Sequence, residues 1–476
     1  MRIRPAWLLL TLALASCEQA RRYPASDQNP PKPIPAARAP EPPPPHWSWM
    51  RPVEEPHDVP IEFVHASAPD WGSLPKFWNQ FPPPQAGTRT AHLGLPPLQA
   101  IAAIVLADQF EAIRIKVPLG LPDPRPLIPE ANPPTYGKWR LGKKLFFKPV
   151  LRSGAETYSC ATCHQPDHGF TESRGRTFHG VINTPSHINA VYNRHQFWDG
   201  RAGALEEVLV HSLRDEQAEQ AGEQDTAEVT HIWGGLVTAL AQDNAYRFEF
   251  QRVFGIRQPT QDAIAKALAT YMRTILSGDS LYDRAEEERR RVKAATLASE
   301  HFLAHIDQAA LKSLGDGKLG KEEAARKLAL GYRLFHGKAN CSGCHRGPLF
   351  TDHHFHNIGL DSKDSLPPLD KPTGRFAVVP IGLKEARLIG AYRTPGLRAL
   401  PRTEPYFHDG KRRSLTDVVR FYDREVLPTP YLASALLAGG REQRLGLTDE
   451  EIEALVLFLQ ALDGTPVDPV VSAPMK

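Results

Sequence analysis

Apolar residues are distributed unevenly along the chain, and their distribution predicts several kinds of segment. A short apolar run, residues 8–15, follows two arginines near the N-terminus, and a proline-rich polar stretch comes after it. Near the other end, Ser414 to Asp417 has the pattern of a capped helix start, after which Val418 and Tyr422 fall on one helix face, one turn apart. No segment after the first run is apolar enough to cross a membrane.

The N-terminal run has the organisation of an export signal. Two arginines supply the charged start, residues 8–15 form the short apolar core, and small residues lead to Cys17. The run is shorter than the roughly 20 apolar residues that span a bilayer. Because Leu14 to Cys17 resembles a bacterial lipobox, we expect a lipoprotein-type signal peptide over 1–17 and a periplasmic protein tethered to the outer membrane by lipid on Cys17. The alternative is ordinary secretory cleavage nearby, with Cys17 lost.

Composition predicts that the next segment, residues 18–86, is an extended tether. The chain has 45 Pro in 476 residues, against a usual share of about 5%, and many of them lie in this segment. Proline-rich sequence with little apolar material cannot bury enough surface to fold alone. Aromatic residues in its distal part, including Phe63 and Trp71, indicate that this part lies on the main body.

The overall charge gives no sign of a nucleic-acid partner. The chain has 57 Lys and Arg against 54 Asp and Glu, a formal net charge of +3. A nucleic-acid-binding domain is far more basic or carries clustered Lys and Arg. The run Arg289 to Arg291, which follows three glutamates, is typical of an exposed charged helix.

The cysteines form two identical motifs that are typical of covalent haem attachment. Residues 160–164 read Cys-Ala-Thr-Cys-His, and residues 341–345 read Cys-Ser-Gly-Cys-His. Two thiols at this spacing bond the two vinyl groups of one porphyrin, and the histidine supplies the proximal imidazole to iron. A zinc site, a redox dithiol or a structural disulfide would leave both histidines unexplained. The predicted haem-binding residues are Cys160, Cys163, His164, Cys341, Cys344 and His345. With Cys17 acylated, all five Cys are accounted for.

The sequence around the two motifs is repeated, which predicts two related domains. A Leu-Gly-x-x-Leu-Phe segment precedes each motif, at 141–146 and 330–335, and Phe-Thr follows each. Further on, a Thr-Pro pair and, at the same distance beyond it, an Asp-Gly pair recur in both halves. Equal offsets of this kind predict internal duplication. We expect a first haem domain over 87–310, a second over 311–466 and a C-terminal tail over 467–476.

The duplicated frame predicts that the two haems differ on their distal sides. Tyr422 in the second half corresponds in position to Ser212 in the first, and Val418 to Val208. If this helix face lies over each porphyrin, the second iron meets a phenol, whereas Ser212 is too short and too weak a ligand. The four Met argue against a His/Met haem in the second half, where the single Met is the penultimate residue. Histidine is less easily excluded as a ligand, because four lie after the second motif: His353, His354, His356 and His408. We therefore expect a six-coordinate, electron-storing second haem and a first haem open to a small ligand.

From about Pro126 to Leu462, the chain resembles the bacterial dihaem cytochrome c peroxidase and MauG family. The match includes Phe-Trp-Asp-Gly-Arg-Ala at 197–202, Gly-Pro-Leu-Phe-Thr-Asp at 347–352 and Pro-Tyr-Phe-His-Asp-Gly at 405–410. The resemblance implies a mainly α fold of two cytochrome c-like haem domains, preceded here by the proline-rich extended segment. It also implies a Ca²⁺ between the domains and reaction of H₂O₂ at the first haem.

The resemblance also assigns roles to individual residues. Trp198 looks like the aromatic residue that conducts electrons or holes between the haems, although a core aromatic is the alternative. Three residues match the calcium-binding positions, and their amide and carbonyl oxygens suit a hard cation: Asn183, Thr403 and Pro405. Tyr422 falls where the family places the distal ligand of the second haem. Classical peroxidases have Met there and MauG-type enzymes have Tyr, so the resemblance favours the MauG branch.

The chain departs from the family on the distal side of the first haem. Where the family has Gln, Pro and Glu, this sequence has Val208, Ser212 and Ala218. Cleavage of peroxide needs a group that moves a proton between the two oxygens, and the candidates are Glu216, Glu219 and His211, each of which could instead be a surface group. The loop that carries a reversible His ligand in classical members is shorter here, with His179 alone nearby. We expect a first haem that is open without prior reduction.

Together these features predict a peroxidase-type oxidoreductase. In the main hypothesis, oxidising equivalents from H₂O₂ at the first haem are shared with the Tyr-ligated second haem, and a partner protein is oxidised as by MauG. One alternative is a cytochrome c peroxidase that takes electrons from a small cytochrome or a cupredoxin. A second alternative is a dihaem electron carrier without catalysis.

Overall fold

A computed structural model describes residues 58–74, 112–153, 156–173, 182–212, 226–360, 373–438, 441–442 and 444–475. The predicted signal peptide with Cys17 and most of the predicted tether lie outside these ranges. So do His179, Glu216, Ala218 and Glu219. Among the described helices, none is long and apolar enough to span a membrane.

The described chain is mainly helical, as the resemblance implied. Its strands form four two-stranded sheets in sequence order: β1 Ile61–Val64, β2 Ile113–Lys116, β3 Leu151–Ser153, β4 Glu156–Tyr158, β5 Phe355–His356, β6 Tyr392–Arg393, β7 Leu437–Ala438 and β8 Arg441–Glu442. The first pair is parallel and the other three are antiparallel.

The first group of helices comes before the second attachment motif: α1 Tyr136–Phe147, α2 Cys160–Cys163, α3 Thr226–Gln242, α4 Asn244–Phe254, α5 Gln261–Met272, α6 Leu281–Arg291, α7 Ser299–Leu303, α8 Gln308–Ser313 and α9 Lys321–His336. Residues 205–212 are also helical. The remaining helices are α10 Arg375–Val378, α11 Leu415–Arg420, α12 Asp449–Gln460 and α13 Pro469–Ser472.

The first hydrophobic core is built around the crossing of α1 and α5. The Thr135 side chain caps α1 by accepting a hydrogen bond from the Lys138 N–H. At the crossing, a Cβ on Gly142 would overlap the Ala267 carbonyl, so only glycine lets the two helices approach this closely. The rings of Phe146 and Tyr271 pack in the interior, with centroids 5.0 Å apart.

The second core has the same arrangement around α9 and α12. A Cβ on Gly331 would overlap the Ala454 carbonyl, which makes this crossing as close as the first. A capping box starts α12, because the Thr448 and Glu451 side chains each accept a hydrogen bond from the other residue's N–H. Phe335 packs in the interior of this core.

Uncommon backbone conformations recur at matching positions of the two halves. Positive φ angles occur at Phe170 (55°) and Phe350 (55°), and again at Phe197 (64°) and Phe407 (66°). A bulky residue rarely adopts such an angle. The sequence repeat is therefore accompanied by a repeat of local backbone geometry.

Two segments at the edges of the predicted domains pack into the first core. Strand β1, which lies within the predicted tether, buries Phe63, and the Trp71 indole donates to the Val117 carbonyl at 2.8 Å. The aromatic residues thus mark a folded part of that segment. Near the other end, the predicted tail contains α13, whose Val471 is buried and accepts a hydrogen bond from the Tyr271 hydroxyl at 2.9 Å.

Candidate haem sites and the contact between them

The second attachment motif forms a tight turn that fixes its histidine. Residues Cys341–Gly343 form a 3₁₀ turn, and the His345 N–H donates to the Cys341 carbonyl at 2.8 Å. The His345 Nδ1 lies 2.9 Å from the Phe350 carbonyl oxygen. Because a carbonyl only accepts, Nδ1 must carry the proton, which leaves Nε2 as the ligand atom. Burial lowers the pKa of His345 and keeps the imidazole in the neutral form that binds iron.

The thiols of this motif are in the form that suits attachment to a porphyrin. Burial raises the pKa of Cys341 to about 12 and that of Cys344 to about 11. Both are therefore neutral thiols near pH 7.

A cavity of about 270 Å³ opens beside the motif and is lined by Tyr422 as well as by Cys341, Cys344 and His345. Val418 lines the same cavity, as its helical spacing to Tyr422 predicts. Burial raises the pKa of Tyr422, so its hydroxyl is neutral in the absence of a metal. Within the described ranges, no hydrogen bond satisfies its hydroxyl, although the Phe407 and Phe421 rings pack against its ring.

The position of Tyr422 depends on a local change in helix type. Ser414 caps α11 by accepting from the Asp417 N–H at 3.0 Å, as its sequence pattern predicts. After Arg420 the chain continues as a π-helical turn, Phe421–Glu425, which contains Tyr422. Such turns are rare and are frequent at functional sites. The sequence pattern predicted the start of the helix but not this turn.

The first attachment motif repeats the geometry of the second. The His164 N–H donates to the Cys160 carbonyl at 2.8 Å, and the His164 Nδ1 lies 3.1 Å from the Phe170 carbonyl. Burial lowers the pKa of His164 to about 4, so the imidazole is neutral and Nε2 is again the ligand atom. The His187 ring stacks on the His164 ring with centroids 3.7 Å apart. Sequence reasoning missed His187, although it follows the repeated Thr-Pro pair closely.

The distal side of the first site is described only in part. Val208 packs against the first core, and Ser212 is the last described residue before the gap at 213–225. His211 lies with its ring centroid 6.3 Å from that of Phe197. Because the candidate acids Glu216 and Glu219 fall in the gap, their assignment stays a prediction.

Trp198 lies where the two halves meet. Its indole N–H donates to the Asn183 carbonyl at 2.8 Å, and its ring centroid is 6.3 Å from that of His408. The His408 ring in turn stacks on Tyr392 at 3.7 Å. Trp198 also lines the cavity beside the second motif, and its role in conducting electrons stays a prediction.

The three predicted calcium residues lie together at the same contact. Asn183, Thr403 and Pro405 all line the cavity. The Asn183 Nδ2 donates to the carbonyls of Pro405 (2.7 Å) and Phe407 (3.0 Å), while its buried Oδ1 has no partner in the described structure. Turning the amide over would direct Oδ1 at these two carbonyls. The oxygens of Asn183, Pro405 and Phe407 would then suit a hard cation such as Ca²⁺, and the role of Thr403 stays a prediction.

A carboxylate and a second histidine lie beside Cys344, and the sequence assigned no definite role to either. The His356 Nε2 and the buried Asp352 Oδ2 are 2.8 Å apart, and ligand atoms of Cys344, Asp352 and His356 all lie within 4.8 Å of one another. Because Cys344 belongs to the attachment motif, these groups belong to the second haem site. The repeated Phe-Thr pair directly before Asp352 was the available signal.

These features define the class of protein. Each half fixes a neutral histidine next to two cysteines at the attachment spacing, and an unsatisfied phenol lines the cavity of the second half. The residues present therefore fit two covalently attached haems of c type, which would be held by Cys160, Cys163 and His164 and by Cys341, Cys344 and His345.

Comparison with known proteins gives the family. Residues 137–291 match the family model for di-haem cytochrome c peroxidase. Methylamine utilization protein MauG of Methylophilus methylotrophus is 32% identical over 362 residues, which cover 74% of this chain and 90% of the relative. Cytochrome-c peroxidase IdrP1 of Denitromonas iodatirespirans is 31% identical over 394 residues, which cover 77% and 92%.

Among solved structures, a MauG-like protein associated with microbial copper homeostasis has the same fold. It aligns with a TM-score of 0.53 and 23% identity over 75% of this chain and 97% of that one. The chain belongs to the dihaem cytochrome c peroxidase and MauG family and is an oxidoreductase of that type. The predictions of the family, the enzyme class and two haems are confirmed.

Proposed function

We propose that this dihaem oxidoreductase uses H₂O₂ to oxidise a partner protein, as the MauG branch of the family does. The observation that carries the proposal is the phenol of Tyr422, which lines the cavity beside Cys341, Cys344 and His345 and has no hydrogen bond in the described structure. A phenol is a poor ligand for a simple high-potential carrier haem but stabilises an oxidised iron.

The residues of the chain divide the work between the halves. Bound haem supplies the cleavage of peroxide and the storage of oxidising equivalents. His164 and His345 each present Nε2 because Nδ1 donates to a carbonyl. Trp198, at the contact between the halves, offers a path for electrons, and Glu216, Glu219 or His211 would move the proton between the peroxide oxygens.

A cytochrome c peroxidase is the second candidate function. The IdrP1 relative is almost as similar to this chain as the MauG relative is. In this role, the second haem would receive electrons from a small cytochrome or a cupredoxin, and two electrons and two protons would reduce each H₂O₂ to two waters.

An anaerobic titration with H₂O₂ tests the proposal. We expect the isolated dihaem protein to consume peroxide and to change its absorption spectrum without an added electron donor. A small reduced cytochrome should then restore the resting spectrum only slowly. Rapid turnover with reduced cytochrome c or cupredoxin would favour the peroxidase instead. An unchanged spectrum and no peroxide consumption would leave a non-catalytic electron carrier.

We also propose that Asn183, Thr403 and Pro405 bind Ca²⁺ at the contact between the halves. The Asn183 side chain supports this assignment, because its amide lies against the Pro405 and Phe407 carbonyls and its buried Oδ1 has no partner in the described structure. One bound calcium per chain is expected by elemental analysis, and its removal by a chelator should alter the spectra of the haems. A chain without calcium, in which the chelator changes nothing, would contradict it.

The remaining predictions concern origin and location. We propose that the two haem domains, 87–310 and 311–466, arose by duplication, which the recurring φ angles and glycine crossings support.

We further propose that the mature protein is periplasmic and anchored to the outer membrane through Cys17. Changing Cys17 to Ser should release the protein from the membrane fraction, and equal membrane binding of both forms would contradict the anchor.

A further inference from the structure

The buried arginines of the described chain differ in whether they have a carboxylate partner. Four of them are buried: Arg140, Arg273, Arg393 and Arg398. Three of the four have a carboxylate partner, because Arg140 pairs with Glu249, Arg273 with Glu206 and Arg398 with Asp283. Among the described residues, Arg393 has no carboxylate within ion-pair distance. A buried charge without a partner lowers the stability of the fold. A bound anion would therefore stabilise Arg393.

The hydrogen bonds of Arg393 all go to neutral acceptors. Its Nε donates to the Phe197 carbonyl at 3.3 Å, and its Nη1 donates to the Asn193 Oδ1 at 3.2 Å and the Thr394 carbonyl at 3.4 Å. Its Nη2 makes no hydrogen bond within the described part of the chain. Arg393 is 6% exposed. Burial lowers the pKa of its guanidinium to about 10, so the group remains charged at neutral pH.

Arg393 lies close to the second attachment motif. It lines the cavity together with Cys341, Cys344 and His345. Pro395, two residues further along, lies with its carbonyl close enough to His345 to affect the pKa of the imidazole. The carbonyl of Thr394 accepts a hydrogen bond from the Thr351 hydroxyl at 2.7 Å, which fixes this segment beside the motif.

Other groups around Arg393 also make this place favourable for an anion. His353 has a buried Nδ1 without a partner in the described structure. Burial, together with the charges of Arg393 and Arg194, lowers the pKa of His353 to about 4. Two guanidinium groups thus act on the same small region, and a negative charge there would relieve their repulsion.

We propose that Arg393 is the counter-ion of a carboxylate in this cavity, and that the carboxylate is a propionate of the porphyrin attached at Cys341 and Cys344. The planar guanidinium fork matches a carboxylate, and the Nη2 that makes no other hydrogen bond supplies a donor. Neutralising one propionate leaves more net positive charge near the iron, which favours its reduced form and raises the potential of the second haem.

The contacts of Arg393 also connect the second porphyrin to the first half. The backbone N–H of Arg393 donates to the Trp198 carbonyl at 2.7 Å, and its side chain reaches the Phe197 carbonyl. A propionate held by Arg393 would therefore lie beside the Trp198 segment. Arg393 is a positioning residue in this role, since it acts on iron through the porphyrin.

The test compares Arg393→Gln with Arg393→Lys in the holoprotein. We expect Arg393→Gln to retain both haems, as counted by the pyridine haemochrome assay, and to shift the midpoint potential of the second haem to more negative values. The first haem should shift less. Arg393→Lys, which keeps the charge, should restore most of the potential. Equal shifts in both variants, or no shift in Arg393→Gln, would overturn the proposal.

A dissolved anion is the other possible source of the negative charge, and a second measurement separates the two. If the carboxylate belongs to the porphyrin, the potential of the wild-type second haem should not change between chloride, acetate and phosphate buffers of equal ionic strength. A dependence on the anion that disappears in Arg393→Gln would identify a dissolved ion and overturn the propionate assignment. If Arg393→Gln yields no holoprotein, the yield of Arg393→Lys is the deciding measurement. If Arg393→Lys also yields no holoprotein, although it keeps the charge, Arg393 serves only the geometry of its hydrogen bonds and the proposal is overturned.

Discussion

At the scale of single residues, the two halves differ most at one pair of matching positions. Tyr422 lines the cavity of the second site, whereas its counterpart at the matching position of the first half is Ser212. Tyr422 is partly buried, and a phenol hydroxyl withdrawn from water without a hydrogen bond is unfavourable unless it binds something. The cost is offset if the oxygen binds iron, which is the role we propose.

Changing Tyr422 to Phe tests this role. Without its oxygen, we expect the second haem to lose its distal ligand, with altered EPR and absorption spectra, a higher midpoint potential and loss of peroxide-driven oxidation of the partner. Haem content should be unchanged. Tyr406→Phe is the matched control, because Tyr406 lines the same cavity but donates its hydroxyl to the Leu400 carbonyl at 3.1 Å. Identical spectra for Tyr422→Phe and wild type would contradict the assignment.

Sequence spacing predicted these residues because their chemistry depends on local order. Within each attachment motif, and between Val418 and Tyr422, the residues are only a few positions apart. The sequence alone was therefore sufficient to predict them. The unpaired charge of Arg393 was different. Whether a buried arginine meets a carboxylate depends on groups far along the chain, and the sequence contains no direct signal of it.

At the scale of elements, two close helix crossings shape the two cores. At each, a glycine on the first helix, Gly142 or Gly331, lies directly against a carbonyl of the second. The attachment motif follows the glycine-bearing helix in both halves. The crossing therefore sets where the motif and its histidine lie relative to the core.

We expect Gly331→Ala to destabilise the protein by about 3 kcal/mol, because its Cβ would collide with the Ala454 carbonyl and force α9 and α12 apart. Thermal or denaturant unfolding of the holoprotein measures this. Gly235→Ala in α3 is the control, since nothing lies within 4 Å of that position, and the better helix propensity of Ala should raise stability by up to about 1 kcal/mol. Equal effects of both substitutions would show that the crossing is not close.

Some elements could not be predicted from local pattern. Strand β1 pairs in parallel with β2 across a long separation in sequence, and such pairings depend on tertiary packing. The π-helical turn at Tyr422 is a one-residue change of helix register that leaves no clear pattern of apolar positions. The mainly helical class was accessible because family resemblance supplied it.

At the scale of the whole molecule, the two halves exchange equivalent hydrogen bonds. The Asn183 N–H donates to the His408 carbonyl at 2.8 Å, and the Arg393 N–H donates to the Trp198 carbonyl at 2.7 Å. The two donors precede the repeated Thr-Pro pairs, and the two acceptors precede the repeated Asp-Gly pairs. The contact is thus nearly symmetric in its backbone but carries Trp on one side and His on the other.

This asymmetry predicts that Trp198 is needed for communication between the haems. In Trp198→Phe, we expect unchanged haem content and unchanged spectra at rest, but slower peroxide-driven oxidation of the partner by an order of magnitude. Stopped-flow absorption at the bands of each haem measures the effect. Trp139→Phe is the control, because Trp139 lies in the first core and donates to the Thr274 hydroxyl at 2.9 Å. Equal rates in wild type and Trp198→Phe would exclude this path.

The packing of α13 against the first core bears on the order in which the protein matures. Val467 and Val471 complete a core that also holds Leu145 and Phe146, which come shortly before Cys160 and Cys163. Export that starts from the N-terminal signal would deliver Cys160 and Cys163 to the periplasm before Val467 and Val471. The first core would consequently stay incomplete during export, and a porphyrin would have time to reach the two thiols before the chain closes around them.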